Sequence, residues 1–252
     1  MDEAVFLLAA GYGLRMRPLT NHTPKPLVRV NNIALIDRVK GKFDAENFSN
    51  FMVNCHHLPE QIKAHFKGNE NIRIIDEADL YETGGACVNL LKCHPEAVNM
   101  ARLWAANADS FWQDDDGQYS SLLARMRAAW DEGKMDALLA ICPLEKAHGY
   151  SGYGDFIIPN AKDDDKDTAK IISRRPPTTS PPDEQISYVF MGVQILKPRL
   201  FQHYSLKKFS LNIIYDELIK ANRLAAIIHG GSWFHVGTVA DIANSEKLLN
   251  QG

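Results

Sequence analysis

The strongest constraint on the fold is an alternation of apolar patterns that runs from the start of the chain to Ile141. Residues 5–10 are a short apolar run ending in Gly11-Tyr12-Gly13, the pattern of a buried strand entering a glycine loop. Leu35, Ile36, Val39 and Phe43 then recur at helical spacing. Phe51-Met52-Val53 reads as a second buried strand, and Leu58, Ile62 and Phe66 mark a second helix with Pro59 near its start. A third strand over residues 72–75, a helix after Gly85 covering residues 88–91, and a fourth strand over residues 103–106 follow. Leu122, Leu123, Met126 and Trp130 form another helical face, and residues 138–141 a fifth strand. This β-α-β-α order predicts an α/β fold, a mainly parallel sheet flanked by helices. In such sheets ligands bind beyond the carboxyl ends of the strands, where the loops at residues 11–13 and 107–109 both fall.

The second half reads differently. Residues 160–185 are rich in Asp, Lys, Pro, Ser and Thr, which suits a flap or a plain solvated loop. Residues 188–196, 225–229 and 233–236 look like strands, the last two joined through Gly230-Gly231. No internal repeat or linker divides the 252 residues, so one domain is expected. With 45% hydrophobic residues the chain can bury a large core. Lys and Arg number 28 against 31 Asp and Glu, so no basic excess suggests nucleic acid or a membrane surface as partner. Cys55, Cys87, Cys93 and Cys142 form no Cys-x-x-Cys and show no zinc spacing with His, as expected for thiols of a reducing compartment. The apolar run near the start is too short for a signal core or a membrane span, so a soluble cytoplasmic protein is expected.

The glycine loop reads Leu8-Ala9-Ala10-Gly11-Tyr12-Gly13-Leu14-Arg15-Met16-Arg17-Pro18-Leu19-Thr20. A dinucleotide fingerprint needs a third glycine where Met16 stands, and a P-loop needs a Gly-Lys-Ser/Thr that is absent. What remains is a glycine turn followed by Arg15, Arg17 and the Lys25 of Pro24-Lys25-Pro26. Glycines let backbone N–H groups approach phosphate oxygens, and the cations supply locally the charge that the composition lacks. By residue types alone this is a weak signal, and a turn with solvated surface cations is the better reading.

The whole string, followed by Pro24-Lys25-Pro26-Leu27, resembles the signature of sugar-1-phosphate nucleotidyltransferases. The branch it resembles includes N-acetylmuramic acid 1-phosphate uridylyltransferases and mannose-1-phosphate guanylyltransferases. Tyr81-Glu82-Thr83-Gly84-Gly85 is similar to that branch's base-contacting loop, and Asn107-Ala108-Asp109 to its metal-binding Asn-x-Asp. Gly154-Asp155-Phe156 resembles its Gly-Asp-Phe near the sugar, and Trp233-Phe234-His235-Val236-Gly237-Thr238 its closing Trp-x-Asp-Val-Gly-Thr. Nearly the whole chain is covered, in order. The resemblance implies a Rossmann-like nucleotide-diphospho-sugar transferase fold, with residues 1–145 holding the nucleotide and 146–252 the sugar phosphate. Three departures stand out: Leu14 in place of Ser or Thr, Ala108 in place of Gly or Ser, and His235 in place of a second metal-binding Asp.

The implied substrates are a nucleoside triphosphate and a sugar 1-phosphate. The sharper expectation is UTP with N-acetylmuramic acid 1-phosphate, in peptidoglycan recycling; the alternative is GTP with mannose 1-phosphate. Arg15, Lys25 and Asp109 are the implied catalytic residues. Ala10, Gly11, Gly13, Leu14, Arg15, Lys25, Thr83, Gly84, Gly85 and Asn107 would bind the nucleotide, and Gly154, Asp155, Arg175 and Gly192 the sugar phosphate. Asp109 would hold Mg²⁺, with Mn²⁺ as an alternative, and His235 is either a ligand or a structural neighbour. Thr83 also reads as a helix cap.

Two readings from other classes stand beside this one. Asp114-Asp115-Asp116 contains the Asp-x-Asp of metal-dependent glycosyltransferases, although its polar setting favours a solvated loop. The histidine at 235 suggests a degenerate, nucleotide-sensing protein. Asp163-Asp164-Asp165 suits another solvated loop, and Arg174 and Arg175 either reach a sugar phosphate or lie on the surface. His56 and His57 are adjacent, so in an extended segment they would point to opposite faces and not chelate together.

Overall fold

A computed structural model describes residues 3–114, 120–159, 168–175 and 187–251. Its main sheet runs, in spatial order, through Lys170–Ile171, Leu224–Ile228, Ala137–Pro143, Ser187–Leu196, Arg102–Asn107, Glu3–Leu8, Phe51–Cys55 and Ile72–Asp76. Glu3–Leu8 pairs in parallel with Phe51–Cys55 and with Arg102–Asn107, and Leu224–Ile228 in parallel with Ala137–Pro143. Ser187–Leu196 lies antiparallel between Arg102–Asn107 and Ala137–Pro143. The sheet is therefore mainly parallel, as the alternation predicts.

The central strands read as nearly unbroken apolar runs because both of their faces are covered. Val5 and Leu7 point into one core, against helices α1 (Leu35–Ala45) and α2 (Pro59–His65). Ala4 and Phe6 point into the other, against α3 (Glu82–Cys93). Helix α4 (Leu122–Ala129) joins the first core through Leu122, Leu123 and Met126. Helix α5 (Asn212–Lys220) joins the second through Ile214, Tyr215 and Leu218. Each such side chain, fully buried, contributes roughly 1.5–3 kcal/mol. The last helix, α6 (Val239–Leu249), starts at a capping box between Thr238 and Asp241.

The structure corrects several details. Helix α3 begins at Glu82, so Gly84 and Gly85 lie inside its first turns rather than before it. The expected strand at 233–236 is Trp233–His235, and it belongs to a separate small sheet with Ser110–Trp112 and Ala147–His148. Of the expected flap, residues 160–167 and 176–186 lie outside the described residues, while 168–175 carries the short strands Lys170–Ile171 and Ser173–Arg174. Cys55, Cys87 and Cys142 are buried, and Cys93 is exposed. Among the described residues no helix is long and apolar enough to cross a membrane.

One carboxylate locks the sheet at the end away from the glycine loop. Arg223 forks onto both oxygens of Asp136 at 2.9 Å, and Lys197 Nζ lies 2.6 Å from Oδ1. These three residues flank Leu224–Ile228, Ala137–Pro143 and Ser187–Leu196, so a single side chain ties three neighbouring strands. The Arg223 hydrogen bonds, then Lys197, hold the Asp136 carboxyl down at about 2 against the opposing effect of burial. Asp136→Asn should destabilise the protein by about 3 kcal/mol at neutral pH, because it leaves the buried Lys197 without its counter-ion. The folded carboxyl is depressed, so its stabilisation is complete above its ordinary value near 4 and lost as pH falls through about 2. Urea melts of both proteins across that range should show the gap closing, and a gap that ignores pH would refute the assignment.

Candidate active site

The carboxyl ends of Glu3–Leu8, Phe51–Cys55 and Arg102–Asn107 open into a cleft of about 350 Å³. Ala10, Gly11, Lys25, Thr83, Asn107 and Asp109 line it. A Cβ placed on Gly11 would meet nothing within 4 Å, so the backbone there faces open space. Gly13 has φ +62°, and a Cβ on it would crowd Thr20 and Lys25, which holds the loop close over the lysine. Leu14 is exposed.

Two polar pairs sit beside this loop. Lys25 Nζ lies 2.7 Å from Asp109 Oδ2. Burial works to raise the Asp109 carboxyl, but Lys25 first, then His235 and Arg15, hold it below its ordinary value. Arg15 Nη2 lies 3.1 Å from His235 Nε2. Arginine has no acceptor, so the imidazole nitrogen accepts and the ring carries its proton on Nδ1. Burial, with the charges of Lys25 and Arg15, keeps the imidazole below its usual value despite the pull of Asp109. Sequence positions 15, 25, 109 and 235 thus form one electrostatic cluster.

Other expected residues are placed differently. The Thr83 hydroxyl does not cap its own helix; it accepts from the Leu211 amide at 3.0 Å. The amides of Gly84 and Gly85 both donate to the Phe209 carbonyl. A Cβ on Gly84 would strike the Phe209 ring and one on Gly85 the Lys207 carbonyl, so these glycines admit the 207–211 loop. Gly154, Asp155, Arg175 and Gly192 are not among the cleft-lining residues. The Asp155 carboxylate accepts from the Tyr150 hydroxyl and the Phe190 amide, and Gly192 (φ +80°) makes room for Asn107. Arg174 pairs with Asp216 at 2.7 Å at an exposed position, in line with the surface reading, and is not among the cleft-lining residues. Asp114 is no solvated residue either: it pairs with Lys42 at 2.7 Å and accepts from the Leu122 amide and the Trp112 indole. Asp115, Asp116 and Asp163–Asp165 lie outside the described residues.

Sequence reasoning passed over Asn54, Glu77, Leu80 and Ser210, which also line the cleft. Asn54 accepts from the Ala9 amide at 2.6 Å and donates to Glu77 at 2.7 Å, linking two strand ends beneath the loop. Burial pushes the Glu77 carboxyl up, against the hydrogen bond from Asn54. The available signal was a lone Asn at the end of the otherwise apolar Phe51-Met52-Val53 run.

Comparison with known proteins places the chain in a family. A family model described as Nucleotidyl transferase matches residues 4–252. The chain is 31% identical over 243 residues to N-acetylmuramate alpha-1-phosphate uridylyltransferase of Caulobacter vibrioides, covering 93% of this chain and 92% of that protein. It is 25% identical over 258 residues to the bifunctional protein GlmU of Methanococcus aeolicus, covering 99% of this chain but 55% of that longer protein. Among solved structures, a UDP-glucose pyrophosphorylase complexed with UDP-glucose superposes with a TM-score of 0.73 at 14% identity, covering 100% of this chain and 99% of that one. HddC from Yersinia pseudotuberculosis, complexed with GMP-PN, superposes with a TM-score of 0.70 at 18% identity, covering 99% and 100%. From the motif order, the strand-end cleft and the matches along its length, the chain belongs to the nucleotidyl transferase family, among the sugar-1-phosphate nucleotidyltransferases.

Proposed function

We propose that the protein transfers a uridylyl group from UTP to N-acetylmuramic acid 1-phosphate and releases pyrophosphate, in the cytoplasm and in the reuse of cell-wall sugars. The cluster of Arg15, Lys25, Asp109 and His235 beside an open glycine backbone carries this reading. The 31% identity to the uridylyltransferase supports the choice of base and sugar.

A sugar 1-phosphate has a second pKa near 6, so its oxygen is largely dianionic at neutral pH and no general base is required. That oxygen forms a bond to the α-phosphorus while the bond to the departing pyrophosphate breaks in line. The barrier lies in bringing anions together and in charge growing on the leaving group. Gly11 and Gly13 offer backbone N–H groups, while Arg15 and Lys25 supply positive charge to the triphosphate and the leaving pyrophosphate.

The residues fit a hard divalent cation bound mainly by its substrate. Lys25 occupies Asp109 Oδ2, which leaves Oδ1 to a cation. Among the described residues no group of three or more His, Cys, Asp or Glu could hold a metal. Mg²⁺ binds through one or two carboxylates with substrate phosphates and water completing the set, which suits Asp109 as the principal ligand. His235 turns Nε2 to Arg15, so it is a helper at most. Mg²⁺, when bound, would neutralise phosphate charge.

The test is a matrix of five nucleoside triphosphates against several sugar 1-phosphates, read by pyrophosphate release. UTP with N-acetylmuramic acid 1-phosphate should give the highest kcat/KM. A preference for GTP with mannose 1-phosphate would move the substrates, and nucleotide binding without pyrophosphate release from any pair would sink the enzymatic reading.

A further inference from the structure

We propose that His56 and His57 are positioning residues that clamp the glycine loop for nucleotide binding, with Tyr12 as the part they grip. This rests on the reading that the loop cradles the triphosphate.

The two histidines follow the strand Phe51–Cys55, and Leu58 after them takes the left-handed conformation, φ +51°. The turn defeats the expectation that adjacent side chains diverge: the His56 and His57 rings lie 5.4 and 5.5 Å from the Tyr12 ring. His56 Nδ1 is 2.9 Å from the Glu77 carbonyl. A carbonyl only accepts, so Nδ1 carries the proton. In the neutral ring Nε2 then accepts from the Tyr12 hydroxyl, 2.9 Å away. His57 Nε2 donates to the Thr20 carbonyl at 2.7 Å, and the Thr20 hydroxyl donates to the Gly13 carbonyl at 2.8 Å. Gln61 in α2 adds a third hold, on the His22 carbonyl at 2.8 Å.

The loop from Tyr12 to His22 contains only two short 3₁₀ turns of its own, Leu14–Met16 and Leu19–Asn21. Its shape therefore depends on what grips it from outside. Through Tyr12 and His56 it is tied to the Glu77 main chain, on the wall of the same cleft. A loop held in place before the triphosphate arrives does not lose its ordering entropy on binding, and that is where the clamp acts.

The first test is steady-state kinetics and calorimetric UTP binding. Tyr12→Phe removes only the hydroxyl, and His56→Phe removes its acceptor while keeping a ring. Each should raise the UTP KM and Kd roughly tenfold, the usual worth of one well-placed hydrogen bond or a little more. The double variant should be no worse than His56→Phe alone, which already breaks the contact that Tyr12→Phe removes. KM for the sugar 1-phosphate and the melting temperature should stay unchanged. His57→Ala should show the same selective loss, and His57→Gln, which can present an N–H to Thr20, should recover part of it. Hydrogen exchange at residues 11–14 should quicken in every weakened variant.

Unchanged UTP affinity, additive losses in the double variant, or a fall in melting temperature with both KM values rising together would each overturn the clamp. If the wild type handles no triphosphate at all, the functional reading fails by itself. Loop exchange still decides the clamp in that case: quickened exchange supports it and unchanged exchange ends it.

Discussion

Asp109→Asn should lower pyrophosphate release by about 1000-fold or more with Mg²⁺, while the protein stays folded. The change is nearly isosteric but removes the anionic oxygen that a hard cation requires. It also leaves Lys25, whose side chain is 9% exposed, without the negative charge of its partner at 2.7 Å. A lysine freed in this way would bind phosphate more tightly, so UTP should still bind while turnover collapses. His235→Ala should be milder and keep a measurable part of the Mg²⁺ activity, since His235 Nε2 is turned to Arg15. Turnover of both variants in Mg²⁺ and in Mn²⁺ separates the roles. If His235→Ala is as inactive as Asp109→Asn and still folded, the single-carboxylate account is wrong.

Lys25→Ala should lower kcat by about 100- to 1000-fold, the usual effect of deleting one preorganised charge from a site of developing negative charge. The structure adds a second consequence. Burial pushes the Asp109 carboxyl up and Lys25 is the main influence holding it down. Without Lys25 that carboxyl titrates at higher pH, so the acid limb of the rate profile should move upward in the variant. A profile of kcat against pH checks both effects together. Near-normal turnover would return the glycine loop to an ordinary turn with surface cations.

The parallel strands could be read from the sequence because burial on both faces leaves no alternation to obscure them: Ala4, Val5, Phe6 and Leu7 are all fully buried. Helices α5 and α6 were passed over, although Thr238 and Asp241 stand at capping-box spacing before an apolar stretch. Arg15, Lys25, Asp109 and His235 were legible because their motifs are compact strings, and the fold brings them together across as many as 220 residues of chain. Asn54 and Glu77 carried no such string. Each is a single polar residue near a strand end, and its meaning depends on a partner 23 positions away. Gly84 and Gly85 show the opposite case. Their composition suited an open base-contacting loop, but that composition cannot reveal that Phe209 and Lys207 would fill the space the glycines leave. Asp114 misled for a similar reason, since Lys42, which neutralises it, comes 72 residues earlier.

The antiparallel strand Ser187–Leu196 comes late in the chain, yet it lies between two earlier strands, Arg102–Asn107 and Ala137–Pro143. It works as a zip. Cut after Ala137–Pro143, the first fragment would bare one edge of Arg102–Asn107 and leave Ala137–Pro143 with neither of its strand partners, and the second would carry the strands that pair with them. Neither piece could bury its own core, but each holds the template for the other, as in strand-addition recognition. Fragments cut there are expected to recombine through backbone pairing, as the halves of a split reporter do. Arg15 would meet His235 only once that pairing had rejoined the two pieces.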